Sequence, residues 1–210
     1  MKYIKYPRTA HAPWSEGATS DDKTHKDMSA FEDQWVVCSF KMDGENFTGY
    51  NDGHCHARSI DSSNHLSRDW VKSFWKSIAY NLPVGWRVCG ENLYAKHSIA
   101  YDDLESYLYG FSIWNADNVC LSWGDTLEWF DLLGIKPVDV FFYGVYDEDT
   151  IRAFFDQINV DGKHEGYVIR LADAFYYEDF SKSTAKYVRK NHVTSDDHWM
   201  HQAITPNKLV

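Results

Sequence analysis

The stretch Trp35-Val36-Val37-Cys38-Ser39-Phe40-Lys41-Met42-Asp43-Gly44-Glu45-Asn46 carries the reading of this chain. Its first six residues are β-branched, aromatic or small and apolar, a strand-forming run, and Asp43-Gly44 is a strong turn signal that ends it. Lys41 therefore stands where a buried strand gives way to a turn. A lysine in a partly dry pocket at such a place is a candidate nucleophile, provided burial and nearby positive charge lower its pKa. Its ordinary pKa, near ~10.4, would leave the amine protonated at neutral pH, so activation is required. Taken alone, the stretch reads more readily as a solvated lysine beside an Asp-Gly hairpin.

Working outward, Phe47 to Tyr50 and His54 to Ser59 read as short strands, and residues 86–94, 107–114 and 138–143 as longer ones. Trp70, Val71, Phe74, Trp75 and Ile78 fall at helical spacing within 68–82, before Pro83, and make a core-facing stripe. Further helices fit 125–133, with Asp125 or Thr126 near the start and Gly134 past the end, and 148–158. Tyr167 to Leu171 and Lys186 to Arg189 read as late strands. Clustered strands with helices between them, lacking regular βαβ alternation, predict an α+β fold with antiparallel sheets. Residues 7–33 are polar and turn-rich, and Trp14 within them argues for an arm docked on the domain, since disordered segments are poor in large aromatics. Length favours one domain over residues 1–210, with 1–33 as its N-terminal arm.

Composition narrows the function classes. A formal net charge of -10 argues against a protein that coats nucleic acid nonspecifically, yet allows a local basic cleft on an acidic body. Aromatic residues make up 17% of the chain, enough to serve both core packing and base stacking. Cys38, Cys55, Cys89 and Cys120 show no CxxC spacing, and no long apolar run is present, so a reducing, cytoplasmic setting away from membranes is the default expectation. His54-Cys55-His56 does not read as zinc, because a strand would turn Cys55 away from both histidines.

Three more features carry chemistry. Gly90-Glu91 and Glu165-Gly166 each set a carboxylate at a strand edge, where it can accept from ribose hydroxyls or hold a divalent cation, with glycine permitting close approach. Lys186, Arg189 and Lys190 form a basic group suited to phosphate, or a solubilising edge strand. His192, His198, Trp199 and His201 read as a packed C-terminal cap.

The order Lys41-x-Asp43-Gly44, Arg58, Gly90-Glu91-Asn92, Phe111-Ser112-Ile113-Trp114, Glu165-Gly166-Tyr167-Val168-Ile169-Arg170 and Lys186 resembles the covalent nucleotidyltransferase superfamily of ligases and capping enzymes. Within it the chain is similar to ATP-dependent RNA ligases, specifically the branch of phage T4 RNA ligase 2 and small stand-alone ligases of phages and bacteria. The segments Tyr6 to Thr9, Gly90 to Ile99 and Asp197 to His201 point the same way. The resemblance implies two antiparallel sheets with flanking helices and ATP in the groove between them. It implies that Lys41 attacks the α-phosphate of ATP to form lysyl-AMP, that Asp43 and Gly44 belong to the nucleotide site, and that Glu91 binds the ribose. Phe111 would stack on adenine, Lys186 would contact the α-phosphate, and Glu165 would bind Mg²⁺ or Mn²⁺. Asn46, Arg58 and Arg189 would serve RNA, whose 5′-phosphate and 3′-hydroxyl ends are joined. Two departures stand out: Phe40 occupies a position that is acidic in that branch, and the second lysine of the last motif is missing, leaving Arg189 or Lys190 to replace it. No appended C-terminal domain is expected, which weighs against a DNA ligase or capping guanylyltransferase. An RNA-binding module that kept the fold without catalysis is the reading from another class.

Overall fold

The computed structural model describes residues 2–190 and 204–210. Its strands are β1 (Trp35–Phe40), β2 (Glu45–Tyr50), β3 (Cys55–His56), β4 (Arg87–Asn92), β5 (Leu108–Trp114), β6 (Val119–Cys120), β7 (Lys136–Pro137), β8 (Val140–Val145), β9 (Gly166–Leu171), β10 (Phe175–Tyr176) and β11 (Thr184–Val188). The α-helices are α1 (Asp69–Ile78), α2 (Trp123–Leu133), α3 (Glu148–Ile158) and the single turn α4 (Phe180–Ser183). One sheet runs β11-β9-β1-β8 and the other β10-β6-β5-β4-β2-β3, with the two-residue β7 added in parallel to β5. Every other pairing is antiparallel. The α+β architecture with two antiparallel sheets is as the sequence predicts.

Local chemistry accounts for the helices. Asp147 accepts from the Thr150 N–H at 2.7 Å and starts α3, with Glu148 and Asp149 in its first turn where the dipole favours anions. The start of α2 is earlier than predicted: Ser122, not Asp125 or Thr126, is the capping residue, accepting from the Asp125 N–H at 3.1 Å. Gly134 ends α2 in the left-handed conformation at φ 65°. On α1, Val71 and Trp75 are buried, while Trp70, Phe74 and Ile78 pack at the edge of the same cluster with Phe47, Val88, Ile113 and Phe130.

α3 covers the outer face of the four-stranded sheet, where Ile151 and Phe155 pack with Val36, Cys38, Tyr167 and Ile169. The arm joins that core through Ala12, Met28 and Phe31, and the Trp14 indole N–H donates to the Tyr167 hydroxyl at 2.9 Å. Between the sheets lies a third cluster with Val37, Leu93, Tyr109 and Val138.

Two expectations change. Residues 54–59 form only the short β3, and Asp43-Gly44 is not a hairpin turn, because β1 and β2 belong to different sheets. The dipeptide is the crossing from one sheet to the other. The expected cap of His192, His198, Trp199 and His201, and the Asp197 to His201 segment, lie outside the described residues.

Candidate active site

Strand alternation aims the site. Val37 is buried between the sheets, and Ser39 and Lys41 follow it on the same face of β1, so Lys41 is delivered into the groove as the chain leaves that sheet. Its backbone N–H donates to the Gly166 carbonyl at 2.9 Å, which fixes the exit. Asp43 is spent on the crossing: its carboxylate accepts from the Ser98 and Ile99 N–H groups, each at 2.7 Å, and its own N–H donates to the Tyr101 hydroxyl at 2.9 Å. Gly44 is required by packing, since a Cβ there would stand 2.6 Å from the Asn92 carbonyl oxygen.

A cavity of about 200 Å³ opens between the sheets and is lined by Lys41, Asn46, Arg58, Glu91, Phe111 and Lys186 among others. Six of the predicted site residues are thus brought together from four strands and two loops. Asn46 and Glu91 are cross-strand partners on β2 and β4, and Lys186 on β11 is opposite Val168 on β9. Val168 and Val138 supply aliphatic lining to the cavity that Phe111 also faces. Glu165 does not line the cavity itself but bonds to a residue that does, its carboxylate accepting from the Lys41 amine at 2.6 Å. Asp43 and Gly44 shape the loop behind the cavity rather than line it.

The basic group at the end of β11 divides. Lys186 enters the cavity, whereas the Arg189 Nε donates to the His164 carbonyl at 3.0 Å and Lys190 is exposed; neither lines the cavity. Arg189 and Lys190 thus stand outside the cavity that Lys186 enters. The face two residues on carries Val188, which is buried under Gly17 and Ser15 of the arm. The glycines of the two Glu-Gly pairs also have a different reason from the predicted one. A Cβ on Gly166 would stand 2.0 Å from the Tyr187 carbonyl oxygen and one on Gly90 2.6 Å from that of Tyr109, so both serve strand contact rather than ligand approach.

The electrostatics are those of a coupled set. Burial works to lower the Lys41 pKa, but the Glu165 and Glu91 carboxylates, the Glu165 hydrogen bond and Asp43 outweigh it, and the net direction is upward. This reverses the sequence expectation of a depressed pKa: with its carboxylate partner in place the amine is held charged. Burial, reinforced by Glu165 and Asp43, pushes Glu91 up to about 8 against the pull of Lys41. Burial and the neighbouring Lys41 charge both lower the pKa of Lys186.

Sequence reasoning missed several lining residues. Tyr6, Pro7, Arg8 and Thr9 come from the arm, whose contacts no periodicity foretells. Arg170 also lines the cavity but is committed to structure, donating to the carbonyls of Leu171 at 3.0 Å and Leu121 at 2.7 Å.

A divalent cation fits these residues on one observation: the Asn46 side-chain oxygen is buried without a hydrogen-bond partner, on a residue that lines the cavity as the cross-strand partner of Glu91. An amide oxygen beside a carboxylate suits a magnesium-like ion, which takes one or two carboxylates and completes its shell with phosphate and water.

Two antiparallel sheets closing on a lysine, with a carboxylate pair and a second lysine in the groove, define a ligase-type nucleotidyltransferase fold. The model of the family described as RNA ligase matches residues 34–188, and the chain belongs to that family. Among solved structures it is similar to an archaeal ATP-dependent RNA ligase (TM-score 0.62, 14% identity, 89% of this chain and 48% of that one). It is also similar to a putative ATP-dependent DNA ligase from Aquifex aeolicus (TM-score 0.54, 16% identity, 77% and 46%). A third is a variant of the Naegleria gruberi RNA ligase with ATP and Mn (TM-score 0.50, 15% identity, 90% and 62%). The chain spans about half the length of the first two. No curated protein matches the sequence.

Proposed function

We propose that this protein is an ATP-dependent RNA ligase that forms lysyl-AMP on Lys41, transfers AMP to an RNA 5′-phosphate and seals it to a 3′-hydroxyl. The observation that carries this reading is the convergence on one small cavity of Lys41, Glu91, Phe111 and Lys186, with Glu165 bonded to Lys41, in a chain of the RNA ligase family.

Each residue has a task its position suits. The Lys41 amine attacks the α-phosphorus once its proton is lost, forming a nitrogen–phosphorus bond as the bond to pyrophosphate breaks. Leaving the Glu165 ion pair is part of that activation, because Glu165 is what holds the amine protonated. Lys186, its own pKa lowered, neutralises the non-bridging oxygens of the α-phosphate, and positioning with charge neutralisation is most of what phosphoryl transfer needs. Glu91 receives the ribose hydroxyls, and Phe111 stacks on the adenine, a contact worth roughly 1–3 kcal/mol. Glu165 would hold Mg²⁺ or Mn²⁺, which would supply Lewis-acid charge at the phosphates. Arg58, exposed at the cavity mouth, meets the RNA end.

Intact mass spectrometry after incubation with ATP and Mg²⁺ tests the reading. The wild type gains one AMP, Lys41→Ala gains none, and AMP leaves the protein when 5′-phosphorylated RNA is added. Retained RNA binding with no AMP mass would make the chain a binding module. Adduct formation with GTP in place of ATP would favour a capping activity, and discharge to nicked DNA alone a DNA ligase.

A further inference from the structure

The first residues of the chain form a strap between the two sheets. At one end the Ile4 N–H donates to the Tyr50 hydroxyl of β2 at 2.6 Å, and that hydroxyl donates to the Ile4 carbonyl at 3.0 Å. The Tyr177 hydroxyl adds a 2.7 Å bond to the Lys5 carbonyl. At the other end the Lys186 N–H donates to the Ala10 carbonyl at 2.9 Å, and the Ala12 N–H to the Lys186 carbonyl at 2.7 Å. Between these anchors Tyr6, Pro7, Arg8 and Thr9 all line the cavity. The Tyr6 ring sets the depth of the strap, meeting Phe111 edge-on at 5.1 Å and Phe180 at 5.3 Å.

This arrangement puts Arg8 into the same cavity as Arg58 and Lys186. Burial lowers the Arg58 pKa and the Arg8 charge lowers it further, the mark of cations close enough to repel. The Arg8 guanidinium makes one long contact, 3.5 Å to the Asp21 carbonyl, which commits a single donor of its five. Arg8, Arg58 and Lys186 set three cations on one cavity, with the Glu91 and Asp22 carboxylates acting on Arg58 from beside them, and such a cluster suits a polyanion.

We propose that Arg8 binds the β- and γ-phosphates of ATP, the group that departs as pyrophosphate, so that the strap is a working wall of the nucleotide site. The proposal rests on the lysyl-AMP reading above. With the adenine at Phe111 and the α-phosphate at Lys41, the rest of the phosphate chain runs away from the attacking amine, as in-line displacement demands, toward the cations. When the Lys41 nitrogen bonds to the α-phosphorus, the α–β bridging oxygen keeps the electron pair of the broken bond. Arg8 then balances the charge on the leaving pyrophosphate while the amine proton passes to solvent.

Calorimetric titration with AMP and with an ATP analogue carrying a methylene bridge between its α- and β-phosphates provides the test, since neither ligand reacts. Arg8→Ala weakens the analogue ~10- to 100-fold, the range for losing a charge-assisted hydrogen bond, and leaves AMP unchanged. Arg8→Lys restores part of the loss. Equal loss for both ligands would reduce the strap to scaffolding and overturn the proposal, as would no loss for either. Unchanged nucleotide binding with slowed AMP transfer to 5′-phosphorylated RNA would give Arg8 to the RNA end instead, which also overturns it. Failure of the wild type to form an AMP adduct while still binding the analogue through Arg8 would sink the lysyl-AMP reading alone.

Discussion

Glu91 and Lys41 show how one cavity sets opposing demands on neighbouring groups. Lys41 keeps its charge because Glu165 is 2.6 Å away, with side chains 26% and 7% exposed, so the pair is screened little by water. Glu91, lacking so close a cation, gives up its charge instead, with a pKa pushed from 4.5 to about 8 by burial and by the Glu165 and Asp43 carboxylates. The linkage sign follows: between these two values the folded state holds a proton that the unfolded chain has lost, so Glu91 makes stability fall as pH rises through that window. Glu91→Gln removes the liability. Its melting temperature should match that of the wild type below pH ~4.5 and exceed it progressively toward pH 9, as read by calorimetric scans across that range. A constant difference at all pH values would mean that Glu91 is not the titrating group.

At the scale of elements, the strands and helices with a strong pattern were legible, and the segments that hold the site in register were not. β1, β4, β5, α1 and α3 follow from apolar runs and caps written in adjacent residues; Glu91 and Phe111 could be placed because they sit on such strands, and Lys41 because it directly follows one. The pairs β6–β10 and β5–β7 are only two residues long, stabilised by partners far away in sequence, and nothing local signals them. Asp43-Gly44 reads as a hairpin yet is a crossing for the same reason: turn chemistry says that the chain bends, not which sheet it enters next. That crossing is secured by residues 93–107, and these in turn by the last described segment. The Asn207 side chain donates to the Leu93 carbonyl at 2.8 Å and accepts from the Tyr101 N–H at 3.0 Å, while its backbone carbonyl accepts from the Tyr107 hydroxyl at 3.1 Å. Tyr101 then accepts the Asp43 N–H. Asn207→Ala takes the side-chain partner from the buried Leu93 carbonyl, a cost of ~1–3 kcal/mol, and from the part-buried Tyr101 N–H, a smaller one. Hydrogen exchange should speed up at Tyr101 and Asp43 in that variant while α3 stays protected; uniform loss of protection would show that residues 204–210 support the whole fold rather than this loop.

For the molecule as a whole, the arm is a structural partner of both sheets. Its charged and turn-rich composition reads as an accessory, yet Ala12 and Phe31 are fully buried and Met28 nearly so, in one cluster with Val36, Ile151, Phe155 and Ile169. On the other side Tyr6 reaches the cluster of Cys89, Trp114, Phe175 and Phe180. The arm therefore joins two cores that also share Leu171, and the cavity takes one wall from it. Truncating a fully buried phenylalanine to alanine costs about 3–5 kcal/mol, a large part of the ~5–15 kcal/mol that ordinarily separates folded from unfolded domains. Phe31→Ala should lower the denaturant midpoint by that energy with the slope unchanged, since the arm, its core and the strap across the groove unfold together. Were the arm a separable accessory, the same variant would free it while the sheets kept the wild-type midpoint, and limited proteolysis would remove residues 2–33 without unfolding the rest. A single transition, seen alike by tryptophan fluorescence and by far-ultraviolet circular dichroism, is the outcome expected of a nucleotide site built from both sheets and the arm.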